Sequence, residues 1–144
     1  MNSFDVVIDF VRSTQTLNKD LFVDLIDDNC EIDYKFNGTY NVTTKQDYVS
    51  RLINGHFNNT TKVDVIELGI KKDRPHLKRS AVDDYTYEGI EFFTVEEIAD
   101  FTRLGLGKDE NVPGIYHMES TGILRVKDNK IIYMSYEFNK HKLE

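Results

Sequence analysis

The sequence predicts an α+β fold in which a curved sheet of antiparallel or mixed strands wraps around three N-terminal helices. Two observations predict it. The segments with helical apolar spacing all lie within residues 1–60, whereas most of the remaining chain is strand-like. The chain also ends in a long predicted hairpin with one apolar face, residues 122–138, and such a face has to be covered by another layer. The 144 residues show no internal repeat and no boundary, so a single domain, 1–144, is expected.

Three helices are predicted from their starts and their apolar stripes. Ser3 can cap the first helix and Asn18 the second, because short polar side chains satisfy the free N–H groups of a first turn. Thr43 and Thr44 open the third helix, and two capping boxes are possible there, Thr44 with Asp47 or Thr43 with Gln46. The predicted buried stripes are Phe4, Val7, Ile8 and Val11 in the first helix, Leu21, Phe22, Leu25 and Ile26 in the second, and Tyr48, Val49, Leu52, Ile53 and Phe57 in the third.

Alternating apolar residues and two tight turns predict the strands. Residues 30–36 alternate cleanly, and Asn37-Gly38 after them is the strongest short hairpin signal in the chain. Asp128-Asn129 is the predicted turn of the terminal hairpin, because Asp and Asn tolerate the positive φ that a tight turn demands. The other predicted strand segments are 39–42, 62–70, 84–94, 115–127 and 130–138.

Residues 95–111 join two predicted strands by a longer connection than the strands need. Ile98, Phe101 and Leu104 in it favour burial, and Gly105 and Gly107 permit hinging. Long connections of this kind are often functional. Two interpretations stay open: a mobile lid over the open end of the curved sheet, or a permanently packed plug.

Charge and composition exclude several classes of partner. The net charge of −7 repels phosphate backbones and anionic lipids, so neither nucleic acid nor a membrane is expected as a partner. Asp5 and Asp9 interrupt the stretch where a signal peptide needs a basic and then an apolar segment. The single Cys30 fits a reducing compartment. A cytoplasmic location is therefore expected.

Four landmarks of the chain resemble the nuclear transport factor 2-like superfamily, which includes SnoaL-like cyclases and steroid Δ-isomerases. They are LFVDLIDDNCEIDY at residues 21–34, the short strand pair around Asn37-Gly38, the helix opened by Thr43-Thr44, and GILRVKDNKIIYMSYEF at residues 122–138. The resemblance spans nearly the whole chain and implies the cone fold. One fold of this kind carries many activities, so the resemblance implies no particular reaction.

The catalytic groups that the resemblance would carry over are missing. The general-base position of the isomerase-like members falls on Tyr34, their oxyanion-stabilising Tyr on Phe10 and their neutral acid near Gly122. The carboxylate position of the epoxide hydrolase-like members falls near Tyr136, and no Arg lies on a clear inward face. Ser120 has no obvious base. Glu88 and Glu91 alternate onto opposite faces of their strand and so form no catalytic pair. No catalytic residue is predicted, and whether the protein is an enzyme stays open.

The predicted function is binding of a small, largely apolar molecule in the cavity of the cone, because inward tyrosines and hydroxyls would give an apolar wall a few polar groups. The competing interpretation is a packed core whose tyrosine hydroxyls reach the rim. The candidate pocket residues are Phe10, Tyr34, Leu52, Tyr116, Met118, Ser120, Met134 and Tyr136.

The outer face of the terminal sheet carries the alternative function, an interaction or oligomerisation module. Ile123, Ile131 and Tyr133 are predicted to be exposed there, and exposed apolar patches usually meet a partner, so a homodimer is expected. His117 and Glu119 on the same face supply only two potential metal ligands. No metal and no cofactor is predicted.

Overall fold

The structure, a computed structural model, describes residues 2–58, 60–72, 82–95 and 114–143. The helices and strands follow the order predicted from the sequence, and a π-helical turn follows the third helix. They are α1 (Ser3–Gln15), α2 (Lys19–Leu25), β1 (Ile26–Phe36), β2 (Thr39–Thr43), α3 (Lys45–Leu52), the π-helical turn Ile53–Phe57, β3 (Thr60–Lys72), β4 (Val82–Val95), β5 (Gly114–Lys127) and β6 (Lys130–Lys142). The segment predicted as a lid or plug, 95–111, lies outside the described residues apart from its first position.

The six strands form one mixed sheet in the order β2-β1-β6-β5-β4-β3. β1 runs parallel to β6, and every other neighbouring pair is antiparallel. The terminal hairpin β5–β6 therefore lies at the centre of the sheet, between the early hairpin β1–β2 and the β3–β4 pair. Within the described residues β2 and β3 do not pair, so the sheet is open. The predicted α+β class is confirmed.

Both predicted tight turns are confirmed. Asn37 and Gly38 have φ values of 47° and 87°, and Asp128 and Asn129 have values of 51° and 62°. Positive φ at both central residues gives the backbone twist that matches two paired strands. Each turn thus sets the register of its own hairpin.

The helix caps are confirmed at two positions and displaced at the third. The side chain of Asn18 accepts from Leu21 N–H, and that of Thr44 accepts from Asp47 N–H. In α1 the cap is Asn2, one residue before the predicted Ser3, and it exchanges hydrogen bonds with Asp5. Asn2 and Ser3 are both good caps, and only Asn2 has an acidic residue three positions later to complete the box.

The buried face of α1 differs from the predicted stripe. Val6, Val7, Phe10 and Val11 are buried, whereas Phe4 is 41% exposed and Ile8 is half-buried. Apolar residues cover more than one side of this helix, so spacing alone does not set its rotation. Ile26 is not the end of the second helix either, because it begins β1 and pairs with Ile131 of β6.

The position of Ile131 contradicts the prediction that this residue is exposed on the outer face of the sheet. The β5–β6 pairing shifts between Arg125 and Val126, so that Ile132 has no partner in the ladder and Ile131 lies opposite Val126. A bulge of this kind changes which side of the strand each residue occupies. Ile131 is consequently fully buried, while Ile123 stays 42% exposed.

No helix in the described ranges is both long enough and apolar enough to cross a membrane.

Candidate functional site

Three neighbouring rows of side chains on the inner face of the sheet form the floor of a cavity. Residues paired across adjacent strands lie side by side, so the strand register defines these rows. The first row is Tyr34, Tyr136, Gly122 and Tyr87; the second is Phe36, Phe138, Ser120 and Gly89; the third is Lys140, Met118 and Glu91. Aromatic side chains dominate the first two rows, and charged groups enter in the third.

Helices α1 and α3 and the π-helical turn form the roof over this floor. Between roof and floor lies a cavity of about 180 Å³. The roof contributes Phe10, Val11, Thr14, Tyr48, Arg51, Leu52, Gly55 and His56, and the floor contributes Tyr34, Phe36, Thr60, Tyr87, Glu91, Phe93, Val95, Met118, Tyr136, Phe138 and Lys140. The lining is mostly apolar and carries a small number of polar groups, which is the usual make-up of a small-molecule site.

Two glycines let aromatic rings lie close to the sheet in the cavity floor. A Cβ at Gly122 would come within 2.5 Å of Tyr136 Cδ1 and 2.6 Å of the carbonyl oxygen of Ser135. A Cβ at Gly89 would meet the hydroxyl of Tyr87 at 2.7 Å. A close approach of this kind is a common reason for a glycine inside a strand.

Glu91 places a carboxyl group in the otherwise apolar part of the cavity. Its side chain is only 4% exposed. Ser120 Oγ donates to the hydroxyl of Tyr87 at 2.9 Å, and that hydroxyl donates to Glu91 Oε1 at 3.4 Å. Burial raises the pKa of Glu91, and the bond from Tyr87 opposes part of this shift. Burial and, after it, the charge of Glu91 raise the pKa of Tyr87 to about 12, so Tyr87 keeps its proton and acts as a donor.

His56 is held as a neutral imidazole between the roof and the edge of the sheet. Burial lowers its pKa to about 4. The carbonyl of Thr14 can only accept, so Nε2, 2.7 Å away, carries the proton, and Nδ1 is left to accept from Thr60 Oγ1 at 3.4 Å. The ring also lies edge-on against Phe93, with 5.0 Å between ring centroids. Both nitrogens are engaged, and His56 therefore anchors the π-helical turn to α1.

Two cationic side chains line the more exposed part of the cavity. Arg51 Nη1 donates to the hydroxyl of Tyr34 at 2.8 Å, and the Arg51 side chain is otherwise exposed. The ammonium group of Lys140 lies over the ring of Tyr116, 4.8 Å from its centroid. It is close enough to His56 for its charge to contribute to the lowered pKa of that imidazole.

The eight candidate pocket residues divide into two groups. Phe10, Tyr34, Leu52, Met118 and Tyr136 line the cavity. The other three do not. Tyr116 packs in a separate apolar cluster with Phe93 and Val95. Ser120 is buried and donates a hydrogen bond to the hydroxyl of Tyr87. Met134 is completely buried in the main core.

Sequence reasoning missed Glu91, Arg51 and His56 as cavity residues. For Glu91 a signal was present, because it alternates in phase with Tyr87 and Phe93 and is therefore turned inward, while Glu88 is exposed as alternation predicts. No signal of this kind identifies Arg51 or His56. Their positions depend on how α3 and the π-helical turn dock on the sheet.

The outer face of the sheet holds a small histidine cluster. His117 Nε2 lies 4.0 Å from Glu119 Oε1, and its ring centroid is 5.0 Å from that of His141. In the part of the chain that the structure describes, no group of three or more His, Cys, Asp or Glu side chains could hold a metal ion.

Comparisons with known proteins establish the fold. No family model matches the sequence, and no curated protein matches it. Solved structures do match. AusH from Aspergillus nidulans has a TM-score of 0.63 at 10% identity, over 94% of this chain and 82% of that one. A proposed polyketide cyclase from Xanthomonas campestris pv. campestris has 0.61 at 9%, over 94% and 88%. A proposed ketosteroid isomerase from Shewanella frigidimarina NCIMB 400 has 0.54 at 13%, over 93% of both chains. Identities this low show a shared architecture and leave the reaction open.

Proposed function

From the premise that this chain has the nuclear transport factor 2-like fold, we propose that it binds a small, largely apolar molecule in the cavity between roof and floor. The observation that carries the proposal is the cavity itself, about 180 Å³ and lined mostly by aromatic and aliphatic side chains. An apolar cavity of about 150 Å³ is large enough to bind benzene. The enclosed part of the ligand is therefore about the size of a single ring.

The lining supports the binding of a small molecule and does not support Δ-isomerase chemistry. Phe10 and Tyr34 line the cavity, and the resemblance noted in the sequence implies that the isomerase-like proteins carry polar catalytic groups at these two positions. The third, Gly122, lies beneath the ring of Tyr136. Enolate stabilisation needs donors aimed at the forming oxyanion, and neither Phe10 nor Gly122 brings a polar side chain to the place where the isomerase-like proteins have one.

A cavity-filling variant tests the proposal. The chain contains no Trp, so Leu52→Trp both fills the cavity and adds a single fluorescent reporter. We expect a simple aromatic probe such as ethylphenol to shift the methyl NMR signals of Leu52 and Met118 in the unmodified protein and to leave the Met118 signal of the variant unchanged.

The matched control for this experiment is Val42→Trp, at a position that is 75% exposed on the edge strand β2. This variant should bind the probe like the unmodified protein. Failure of a panel of small aromatic and aliphatic probes to perturb either methyl group at millimolar concentration would refute the proposed function.

We also propose that the protein forms a homodimer through the outer face of the sheet. Ile115 and Ile123 of β5 are 49% and 42% exposed there, and exposed apolar residues on a sheet face favour a self-complementary contact. Light scattering should give twice the monomer mass, and Ile123→Lys should return the monomer. A monomeric unmodified protein at micromolar concentration would exclude the dimer.

We place the protein in the cytoplasm. Cys30 is a free thiol, 5% exposed, and burial raises its pKa to about 12. A buried, protonated thiol is an apolar packing group and has no part in disulfide chemistry. Fractionation of the native source with an antibody to the protein tests the location.

A further inference from the structure

The acidic and the basic groups that line the cavity lie on different sides of it. Glu91, the acidic one, lies on the buried side, whereas the cationic Arg51 is exposed and Lys140 is partly exposed. In the sheet register Lys140 and Glu91 belong to one row, with Met118 between them. A ligand seated between roof and floor would thus meet an acceptor at one end and positive charge at the other.

Glu91 has one oxygen available for a ligand. Tyr87 donates to Oε1, and within the described residues Oε2 has no hydrogen-bond partner. A carboxyl group inside an apolar wall gains from every hydrogen bond that it accepts, because an unpaired polar group in such surroundings is costly. A ligand hydroxyl is the simplest group that supplies such a donor without adding a second buried charge.

Arg51 is positioned to meet an anionic group. Its bond to the hydroxyl of Tyr34 uses one of the five N–H donors of the guanidinium group and holds the side chain at the cavity edge. The planar fork of Arg matches the geometry of a carboxylate. Lys140 adds positive charge to the same lining.

Resting on the proposed function, we infer that the ligand is a single-ring hydroxyaryl carboxylic acid. Its hydroxyl would donate to Glu91, its ring would pack against the aromatic floor, and its carboxylate would face Arg51 and Lys140. The cavity volume of about 180 Å³ limits the enclosed body to one ring.

Three matched probes test the inference on the unmodified protein: para-hydroxyphenylpropanoate, phenylpropanoate without the hydroxyl, and para-ethylphenol without the carboxylate. Dissociation constants come from the methyl NMR signals of Met118 and Leu52. The first probe should bind at least about tenfold more tightly than either of the others, because hydrogen bonds to charged groups are worth more than neutral ones. Equal affinities would overturn the inference while leaving the proposed function intact. Binding by none of the three would overturn both.

Two substitutions test which cavity residue contacts each end of the ligand. Glu91→Gln should reduce the advantage of the hydroxyl, because a neutral amide oxygen accepts a hydrogen bond more weakly than a carboxylate, and should leave the affinity for phenylpropanoate unchanged. Arg51→Met should remove most of the advantage of the carboxylate and leave the affinity for para-ethylphenol unchanged. The controls are Glu88→Gln, exposed on the other face of β4, and Arg12→Met, exposed on α1. Control variants that lower affinity as much as the cavity variants do would refute the assignment.

Discussion

Gly122→Ala should destabilise the protein through the backbone of the adjacent strand. The added Cβ would meet Tyr136 Cδ1 at 2.5 Å and the carbonyl oxygen of Ser135 at 2.6 Å. A side chain can rotate away, whereas a carbonyl in a β ladder moves only with its strand. Overpacking of a well-filled core costs about 1–3 kcal/mol, and we expect the free energy of unfolding to fall by that amount. At about 2–4 °C per kcal/mol, this lowers Tm by roughly 2–12 °C.

Gly69→Ala is the matched control, because a Cβ at Gly69 of β3 would have no heavy atom of the described residues within 4 Å. Its free energy of unfolding should stay unchanged or rise by about 0.5 kcal/mol, since alanine restricts the unfolded chain. Urea unfolding followed by tyrosine fluorescence measures both variants, because the chain has eight Tyr and no Trp. Equal stabilities for the two variants would contradict the close approach of β5 and β6 at Gly122.

Three further predictions concern single side chains. The folded-state pKa of His56 is about 4, below its usual 6.5. The stability that the neutral imidazole contributes is therefore complete above about pH 6.5 and is lost as the pH falls towards 4. Over this pH range the free energy of unfolding of His56→Gln should fall by up to about 3 kcal/mol less than that of the unmodified protein. A pH profile parallel to that of the unmodified protein would refute the assignment. The pKa of Glu91 is raised from 4.5, so the ionised carboxyl destabilises the fold as the pH rises above 4.5. Glu91→Gln should therefore be more stable relative to the unmodified protein at pH 7 than at pH 4, whereas exposed Glu88→Gln should show no such difference. Thr44→Ala removes the cap of α3 and should lower the free energy of unfolding by about 1 kcal/mol; no loss in urea unfolding would show that the cap is not needed.

Local sequence determined the turns and two of the helix starts. Asn37-Gly38, Asp128-Asn129, Asn18 and Thr44 each act on backbone groups within three residues, so their effect does not depend on the rest of the molecule. The alternation in β4 likewise placed Glu88 outside and Glu91 inside, because strand geometry fixes opposite faces for such positions. These signals were sufficient for the fold class and for the resemblance to the cone fold, both of which are confirmed.

The rotation of α1 and the burial of Ile131 were decided by contacts between distant segments. The apolar residues of α1 permit several rotations, and docking on the sheet selected the one that buries Phe10 and exposes Phe4. One bulge in β6 reversed the expected side of Ile131, because a shift of one residue exchanges the two faces of a strand. The sequence of either segment carries no signal that sets these choices.

The cavity is the feature that only the tertiary structure decided. Its floor depends on the parallel pairing of β1 with β6, which sets Tyr34 beside Tyr136 across about a hundred residues of chain. Its roof depends on how α3 and the π-helical turn bring Arg51 and His56 over that floor. The sequence by itself determined which residue types were available and which faces of the strands they occupy. A cavity is the space left between two packed layers, and that distance is set by all of their contacts together.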